Sequence, residues 1–483
     1  MSGSLTIDRW LRDRARATPD RVAIDHLDRE VSYRELDEAS DRLASSFAAR
    51  GLERGDRIAT LTGNTPEHVA VFFACAKSGL TLAPLSWRLA APELAYQLED
   101  SDPAAFLVDP RLEELAAATG RPYEALEVPK APAGGVPEAP RDDDPLLLVY
   151  TSGTTGKPKG ALLTHANCFW TNVGFDVATG VSGDDVVLQV LPQFHCGGWN
   201  VQALLAWWKG ARVVLERAFD ADRCLELIGL KGVTTTMGVP ANYLFMAQSP
   251  SFGAADLGTL RRAVVGGAPM PLPLLERWRE RGVEIVQGYG LTEAAPNVLC
   301  LPPEDAVRKA GYAGKPYPHV DVKLSDEGEL LVRGPNVFAG YWRDPEATTD
   351  AFVEGWLRTG DVAERDDEGN FRISGRLKDM YISGGENVYP AEVEDVLLSL
   401  DGVADAAVVG VRDERWGEVG AAFVVPEAGV ELDAEAIVAA CRERLARFKV
   451  PASVSFVDEL PRSGLDKVLK DELRARVGNG VAA

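Results

Sequence analysis

Between Tyr150 and Gly160 the chain reads YTSGTTGKPKG, with four aliphatic hydroxyls, three glycines and two lysines in eleven positions. Glycines at 153, 156 and 160 permit tight turns and close backbone approach, so amide N–H groups can converge on an anion. Thr151, Ser152, Thr154 and Thr155 add hydroxyl donors, while Lys157 and Lys159 add positive charge. Such a loop suits a polyphosphate. It is not a Walker A loop: the glycine required five residues before Gly156 is Thr151, and Pro158 stands where Ser or Thr should follow the lysine. No GxGxxG fits here either. The competing reading is a solvated Gly/Ser/Thr linker, and the buried-strand run LLLVY immediately before it, with the paired lysines, counts against that.

The elements around this loop alternate in type. Ser32 and Glu35 form a capping box, followed by Leu36, Ala39, Leu43 and Phe47 at helical spacing, and RIATL then reads as a strand. In NTPEHVAVFFACAKSG, Thr65 caps a helix, Pro66 occupies its first turn and Gly79 ends it, and TLAPL resumes a strand. Strand, helix, strand predicts βαβ units and a largely parallel sheet. The stretch VPKAPAGGVPEAPRDDDP, from Val128, reads as an exposed connection. After GRLKDMYISGGENVYP the character changes: from Ala391 a helix, two strands around RDERWGE, a helix near Glu435 to Arg447 and a strand near Ser453 to Val457 make a small α+β unit. The expected fold is α/β, with a large first domain over residues 1–377 and a small mobile α+β domain over 378–483.

With 483 residues, 46% of them hydrophobic, the chain is long enough for two domains with substantial cores. A formal charge of −22 argues against nucleic acid or an anionic membrane as the main partner, so any phosphate must be held locally. Cys75, Cys168, Cys196, Cys224, Cys300 and Cys441 are scattered without metal-site spacing, which points to a reducing, cytoplasmic setting. No apolar run approaches the ~18 residues of a membrane span, and the N-terminus meets charge too early for a secretory signal.

YTSGTTGKPKG resembles the signature phosphate loop of the adenylate-forming superfamily: acyl-CoA synthetases, peptide-synthetase adenylation domains and firefly-type luciferases. The resemblance runs from about Leu36 to Lys470 and recurs in order as LPQFHCGG, VVGGAPM, QGYGLTE, GELLVRGPNVFAGYW, WLRTGD, GRLKDMYISGGENVYPAEVE and LPRSGLDKVLK. RLAAPEL, EDAVRKAG and SGGENVYPAEVE are most similar to fatty-acyl-CoA ligases, including the mycobacterial very-long-chain type. The resemblance implies a two-step reaction. A carboxylate attacks the α-phosphate of ATP to give acyl-AMP and pyrophosphate, and a thiol then displaces AMP.

Roles follow motif by motif. The loop from Thr151 through Ser152, Gly153, Thr154, Thr155 and Gly156 to Lys157 takes the phosphates. In QGYGLTE, Gly288 and Gly290 flank Tyr289, whose ring can stack on adenine, after Gln287; Thr292 and Glu293 present a hydroxyl and a carboxylate. Glu293 resembles the family's Mg²⁺ ligand, since displacement at phosphorus calls for a hard cation on phosphate oxygens. Gly267, Ala268 and Pro269, after strand RRAVV, supply backbone for the nucleotide wall. Asp361 in RTGD resembles the carboxylate that takes both ribose hydroxyls, a task for two acceptor oxygens, and Arg376 its second ribose and phosphate contact. Lys467 is placed like the lysine that bridges carboxylate and α-phosphate, offsetting their repulsion. Here the chain departs from the family, which usually has glycine where Asp466 stands; Lys470 is the competing lysine, read as solvated. Lys378 is placed as the hinge, and Ser383, Gly384 and Gly385 resemble the lining of the pantetheine channel.

In amino-acid-activating relatives an Asp occupies the place of His195, so an acid without an α-amine is implied, with His195 shaping the acyl entrance and meeting the thiol step. A nucleophilic Cys196 beside it is disfavoured because adjacent side chains on an extended stretch point apart. Gly198, Trp199, Gly266 and Gly288 are read as the acyl pocket, and Trp199 as a gate or aryl-stacking surface. A medium- or long-chain fatty acid and a bulky apolar, aryl or polycyclic acid both stay open. From the 16 residues after Lys467, no fused carrier domain is expected. Free coenzyme A is the leading acceptor, a separate acyl-carrier protein the alternative, and a nucleotide-binding pseudoenzyme the third reading.

Overall fold

Helix Tyr33–Ala49 starts at a closed capping box: Ser32 Oγ accepts from Glu35 N at 3.2 Å, and Glu35 Oε2 accepts from Ser32 N at 2.8 Å. Leu36, Leu43 and Phe47 of its apolar stripe are buried, as the spacing predicts. Thr65 Oγ1 accepts from His68 N at 3.1 Å to start helix Pro66–Ser78, in which every residue but Glu67 is buried. These two helices pack together, and the second links strands Arg57–Leu61 and Thr81–Leu85, which pair in parallel as a βαβ unit.

A computed structural model of the chain describes residues 5–151, 157–384, 386–462 and 468–478. Two compact units are present: Met1–Met270 with Leu274–Val322 and Val332–Leu357, and Pro271–Pro273 with Lys323–Leu331 and Arg358–Ala483.

The first unit holds two sheets with parallel interiors, one antiparallel at both edges and the other at one edge, an arrangement in which helices cover both faces of the parallel part. One sheet has seven strands, in the order Gly340–Tyr341, Lys159–Thr164, Pro145–Thr151, Thr81–Leu85, Arg57–Leu61, Ala105–Val108 and Glu124–Ala125. Within it Pro145–Thr151 and Lys159–Thr164 are antiparallel, with Tyr150 opposite Gly160 and Thr151 opposite Lys159. That register fixes both ends of the phosphate-loop segment. The other sheet has nine strands. Its parallel neighbours Thr235–Gly238, Arg262–Val265 and Ile285–Gly290 pair Gly238 with Val265 and Val265 with Gln287, which brings the chain at Gly238, Gly266 and Gly288 side by side. The expected connection forms no helix or strand between Leu126 and Asp144, and Val136 is fully out in solvent.

The second unit contains the order read from the sequence: helix Pro390–Leu398, antiparallel strands Val403–Asp413 and Gly417–Pro426 around RDERWGE, helix Ala434–Arg444 and strand Ser453–Phe456. Its own core joins Tyr381, Val388, Val393, Leu397, Val408 and Val424. Among the described residues no helix is long and apolar enough to cross a membrane, and all six cysteines are buried and free.

The capping box carries a pH signature. The Ser32 backbone N–H and hydroxyl hold Glu35 below its ordinary value of 4.5, so its stabilising effect is present at neutral pH and is lost as pH falls through the carboxylate range. Ser32→Ala is expected to cost about 1 kcal/mol at neutral pH. The difference from wild type, measured by urea unfolding, should shrink as the buffer is acidified; a constant difference contradicts the box as its source.

Candidate active site

Strand Ile285–Gly290 delivers the chain to a short 3-10 turn, Thr292–Ala294. Glu293 Oε1 accepts from Tyr341 Oη at 2.8 Å and lies 3.5 Å from Thr151 Oγ1. Residues 142 positions apart, from two motifs, thus meet at one carboxylate. Lys159 Nζ stands 5.4 Å from the centre of the Tyr341 ring, and Lys157 Nζ 5.9 Å from that of Tyr96, whose Oη donates to Pro158 O at 3.4 Å. Burial, with the Glu293 charge added, pushes the Tyr341 phenol far above its usual range, so it stays a protonated donor.

The donor set here is hard oxygen beside positive charge, the chemistry that suits Mg²⁺ shared with phosphate oxygens. Among the described residues no cluster of three or more His, Cys, Asp or Glu forms a metal cage. A cation held by one carboxylate, with water and substrate phosphates completing its shell, is consistent with that.

Thr292 Oγ1 accepts from Cys196 Sγ at 3.5 Å. Cys196 is not on an extended stretch: at φ −58°, ψ −32° it leads into the short helix Gly197–Asn200, so the opposite-faces argument does not apply. Its thiol is inert for another reason, because burial pushes it up to about 11 and the residue is enclosed. His195 is half-buried, with its ring 4.7 Å from that of Phe194.

Gln287 is buried and spends its amide on the surrounding wall, accepting from Met270 N at 3.2 Å and donating to Tyr312 O at 3.4 Å. Gly267, Ala268 and Pro269 are exposed directly after strand Arg262–Val265. Tyr289 and Gly290 are half-buried, paired across the strand with Leu299 and Asn297. A Cβ on Gly266 would stand 2.9 Å from Met237 Cε and 3.3 Å from Gly288 O. Met237, which carries no motif of its own, therefore packs directly against Gly266. It also lines a small apolar pocket with Val190, Phe219, Ile228, Tyr243 and Met246. No local motif marks it; only the strand pairing does.

Trp199 and Gly198 are corrected. Trp199 has no exposed surface, stacks on Phe72 at 4.4 Å and donates Nε1–H to Gln193 O at 2.7 Å, so it is a core anchor and presents no face as a gate. Gly198 is glycine because a Cβ there would lie 2.3 Å from Pro192 O.

In the second unit Asp361 and Arg376 stand opposite each other on antiparallel strands, with Arg376 Nε 2.8 Å from Asp361 Oδ1. Asp361 is buried while Arg376 is half-exposed, so the pair opens at the arginine. The buried Glu329, also missed in the sequence, accepts from Gly360 N at 3.0 Å and binds Arg358 at 3.0 Å, which sets the RTGD turn. Lys378 is exposed in the 3-10 turn Leu377–Asp379. Ser383 is buried, and Gly384, at φ +61° with the Trp416 ring 2.8 Å from where a Cβ would sit, leaves no place for a side chain. Lys470 is not solvated as expected but ion-paired with Glu394 at 2.7 Å, in a pair only 18% and 17% exposed. Ser152, Gly153, Thr154, Thr155, Gly156, Gly385, Asp466 and Lys467 lie outside the described residues.

The AMP-binding enzyme profile matches residues 11–342, and the profile of the AMP-binding enzyme C-terminal domain matches residues 392–467. The chain belongs to the AMP-binding enzyme family. Within this family it is 43% identical to a feruloyl-CoA synthase of an Amycolatopsis species, over 97% of this chain and 98% of the relative. Identity to an indoleacetate–CoA ligase of Aromatoleum aromaticum is 42%, over 98% of each. The mycobacterial likeness also holds: identity to the long-chain-fatty-acid–CoA ligase FadD13 of Mycobacterium tuberculosis is 36%, over 96% and 97%. Among solved structures, the o-succinylbenzoate coenzyme A synthetase of Bacillus subtilis in complex with ATP and magnesium ion superposes with a TM-score of 0.89 at 35% identity, over 96% of this chain and 99% of that one. The α/β family fold expected from the sequence is the one present.

Core placement of Trp199 makes a separable prediction. Trp199→Ala should cost about 3–5 kcal/mol in urea unfolding, and the milder Trp199→Phe should leave the order of preferred acids unchanged. A reordered acid preference in Trp199→Phe contradicts the core assignment.

Proposed function

We propose that this chain is an AMP-forming carboxylate–CoA ligase acting on an aryl or arylalkyl acid: the acid attacks the α-phosphate of ATP, and coenzyme A displaces AMP from the acyl-adenylate. The observation that carries this reading is the meeting of Thr151, Glu293 and Tyr341 at the end of the phosphate hairpin, in a chain that belongs to the AMP-binding enzyme family.

Thr151, Lys157 and the loop between them hold the phosphates, through N–H, hydroxyl and ammonium groups. Mg²⁺, bound through Glu293, supplies neutralisation of phosphate charge. Tyr289 stacks on adenine beside the backbone of Gly267, Ala268 and Pro269, and Asp361 with Arg376 takes the ribose. Lys467 meets the carboxylate and the α-phosphate in the first step. For the second step we retain Lys378 as the hinge, with Ser383, Gly384 and Gly385 on the pantetheine arm and His195 at the thiol's approach.

The aryl reading rests on similarity. Relatives named for feruloyl and indoleacetate substrates stand at 43% and 42% identity, above the 36% of the fatty-acid ligase. Six free thiols favour the reducing cytoplasm as its compartment.

The test incubates the protein with ATP, Mg²⁺ and a panel of fatty, aryl and polycyclic acids, with and without coenzyme A, and reads products by mass spectrometry. Aryl-CoA formed in preference to fatty acyl-CoA is the expected result. Adenylate that persists after coenzyme A is added moves the acceptor to a carrier protein. No adenylate from any acid overturns the proposal and brings Asp466 and the pseudoenzyme reading forward.

A further inference from the structure

The segment GPNVFAGYW, Gly334–Trp342, makes several hydrogen bonds to the turn that carries Glu293. Asn336 Nδ2, fully buried, donates to Ala294 O at 2.8 Å and to Asn297 O at 3.0 Å. Phe338 N donates to Glu293 O at 2.8 Å. Tyr341 Oη donates to Glu293 Oε1 at 2.8 Å. The segment is itself tied down: Asn167 Nδ2 donates to Pro335 O at 2.9 Å and Val337 O at 2.8 Å, and Gly340 and Tyr341 pair with Leu162 and Ala161 of the phosphate hairpin.

We propose that Tyr341 is a positioning residue for the metal-binding carboxylate: its phenol O–H holds Oε1 of Glu293, so that Oε2 is the oxygen offered to Mg²⁺. The inference rests on the reading of Glu293 as the cation ligand. Its physical content is preorganisation. A glutamate side chain has three torsions to fix, and freezing them at the moment of binding weakens the interaction by the lost entropy. A hydrogen bond to a charged acceptor, made beforehand from a strand whose register is set by the phosphate hairpin, removes that loss. It also sets the direction in which the carboxylate faces the phosphates, because hairpin and tyrosine belong to the same sheet.

Tyr341→Phe removes the hydroxyl alone, since the ring contacts to Phe338 at 4.9 Å and to Lys159 at 5.4 Å need no oxygen. Binding of ATP is measured calorimetrically with Mg²⁺ and with EDTA, for wild type, Tyr341→Phe, Glu293→Gln and the double variant, with thermal melting as the check on folding. Wild type should bind Mg²⁺·ATP more tightly than free ATP. Tyr341→Phe should lose about tenfold in Mg²⁺·ATP affinity, the worth of one hydrogen bond to a charged group, with free-ATP affinity unchanged. In the Glu293→Gln background the second substitution should add nothing. Equal loss with and without Mg²⁺, no loss, or full additivity with Glu293→Gln each overturns the positioning role while leaving Glu293 as ligand. A wild type that binds ATP equally with and without Mg²⁺ overturns both readings.

Discussion

A carboxylate and a polyphosphate, both anions, must be brought into contact inside a protein whose own formal charge is −22. Bringing such groups together out of bulk water is unfavourable unless positive charge and N–H or O–H donors are concentrated at the contact. Glu293 sharpens the constraint, because it adds a further negative charge beside the phosphate hairpin. Thr151 and Tyr341 both meet that carboxylate at its Oε1, so it does not stand as an isolated charge.

The fold meets the constraint through register. Pro145–Thr151 and Lys159–Thr164 pair so that Thr151 faces Lys159, and the edge strand Gly340–Tyr341 adds to the same sheet through Ala161 and Leu162. A one-residue slip in either pairing would turn Tyr341 or Lys159 to the opposite face. The buried helix Pro66–Ser78 links two parallel strands of that sheet, and Trp199 stacks on its Phe72. In the second unit the same economy appears in Glu329, a buried carboxylate used only to hold the turn that presents Asp361.

Local signals were legible in the sequence where one short stretch contains all the determinants. The Ser32–Glu35 box, the Thr65 cap, the strand before the phosphate loop and the order of elements after Ala391 are all present as read. What the sequence concealed is relational. Trp199 stood next to motif glycines and looked like pocket lining, but its burial depends on Phe72, more than a hundred residues earlier. Cys196 was read on extended chain, whereas the glycines after it start a helical turn. Met237 carries no signature of its own, and Glu329 and Tyr341 lie in GELLVRGPNVFAGYW without a role that the motif announces; each is defined by a partner across a sheet or turn. Lys470 reads as solvated until Glu394, on a distant helix, is seen to pair with it.

In an AMP-forming ligase the acid's own oxygen becomes bonded to the α-phosphorus of ATP. Incubation of the protein with ATP, Mg²⁺, coenzyme A and a carboxylate-¹⁸O-labelled aryl acid, followed by mass spectrometry of the nucleotide, tests this directly. The expected product is AMP carrying one ¹⁸O atom, with pyrophosphate unlabelled. Label in inorganic phosphate together with ADP, or label in neither nucleotide nor phosphate while acyl-CoA forms, contradicts it.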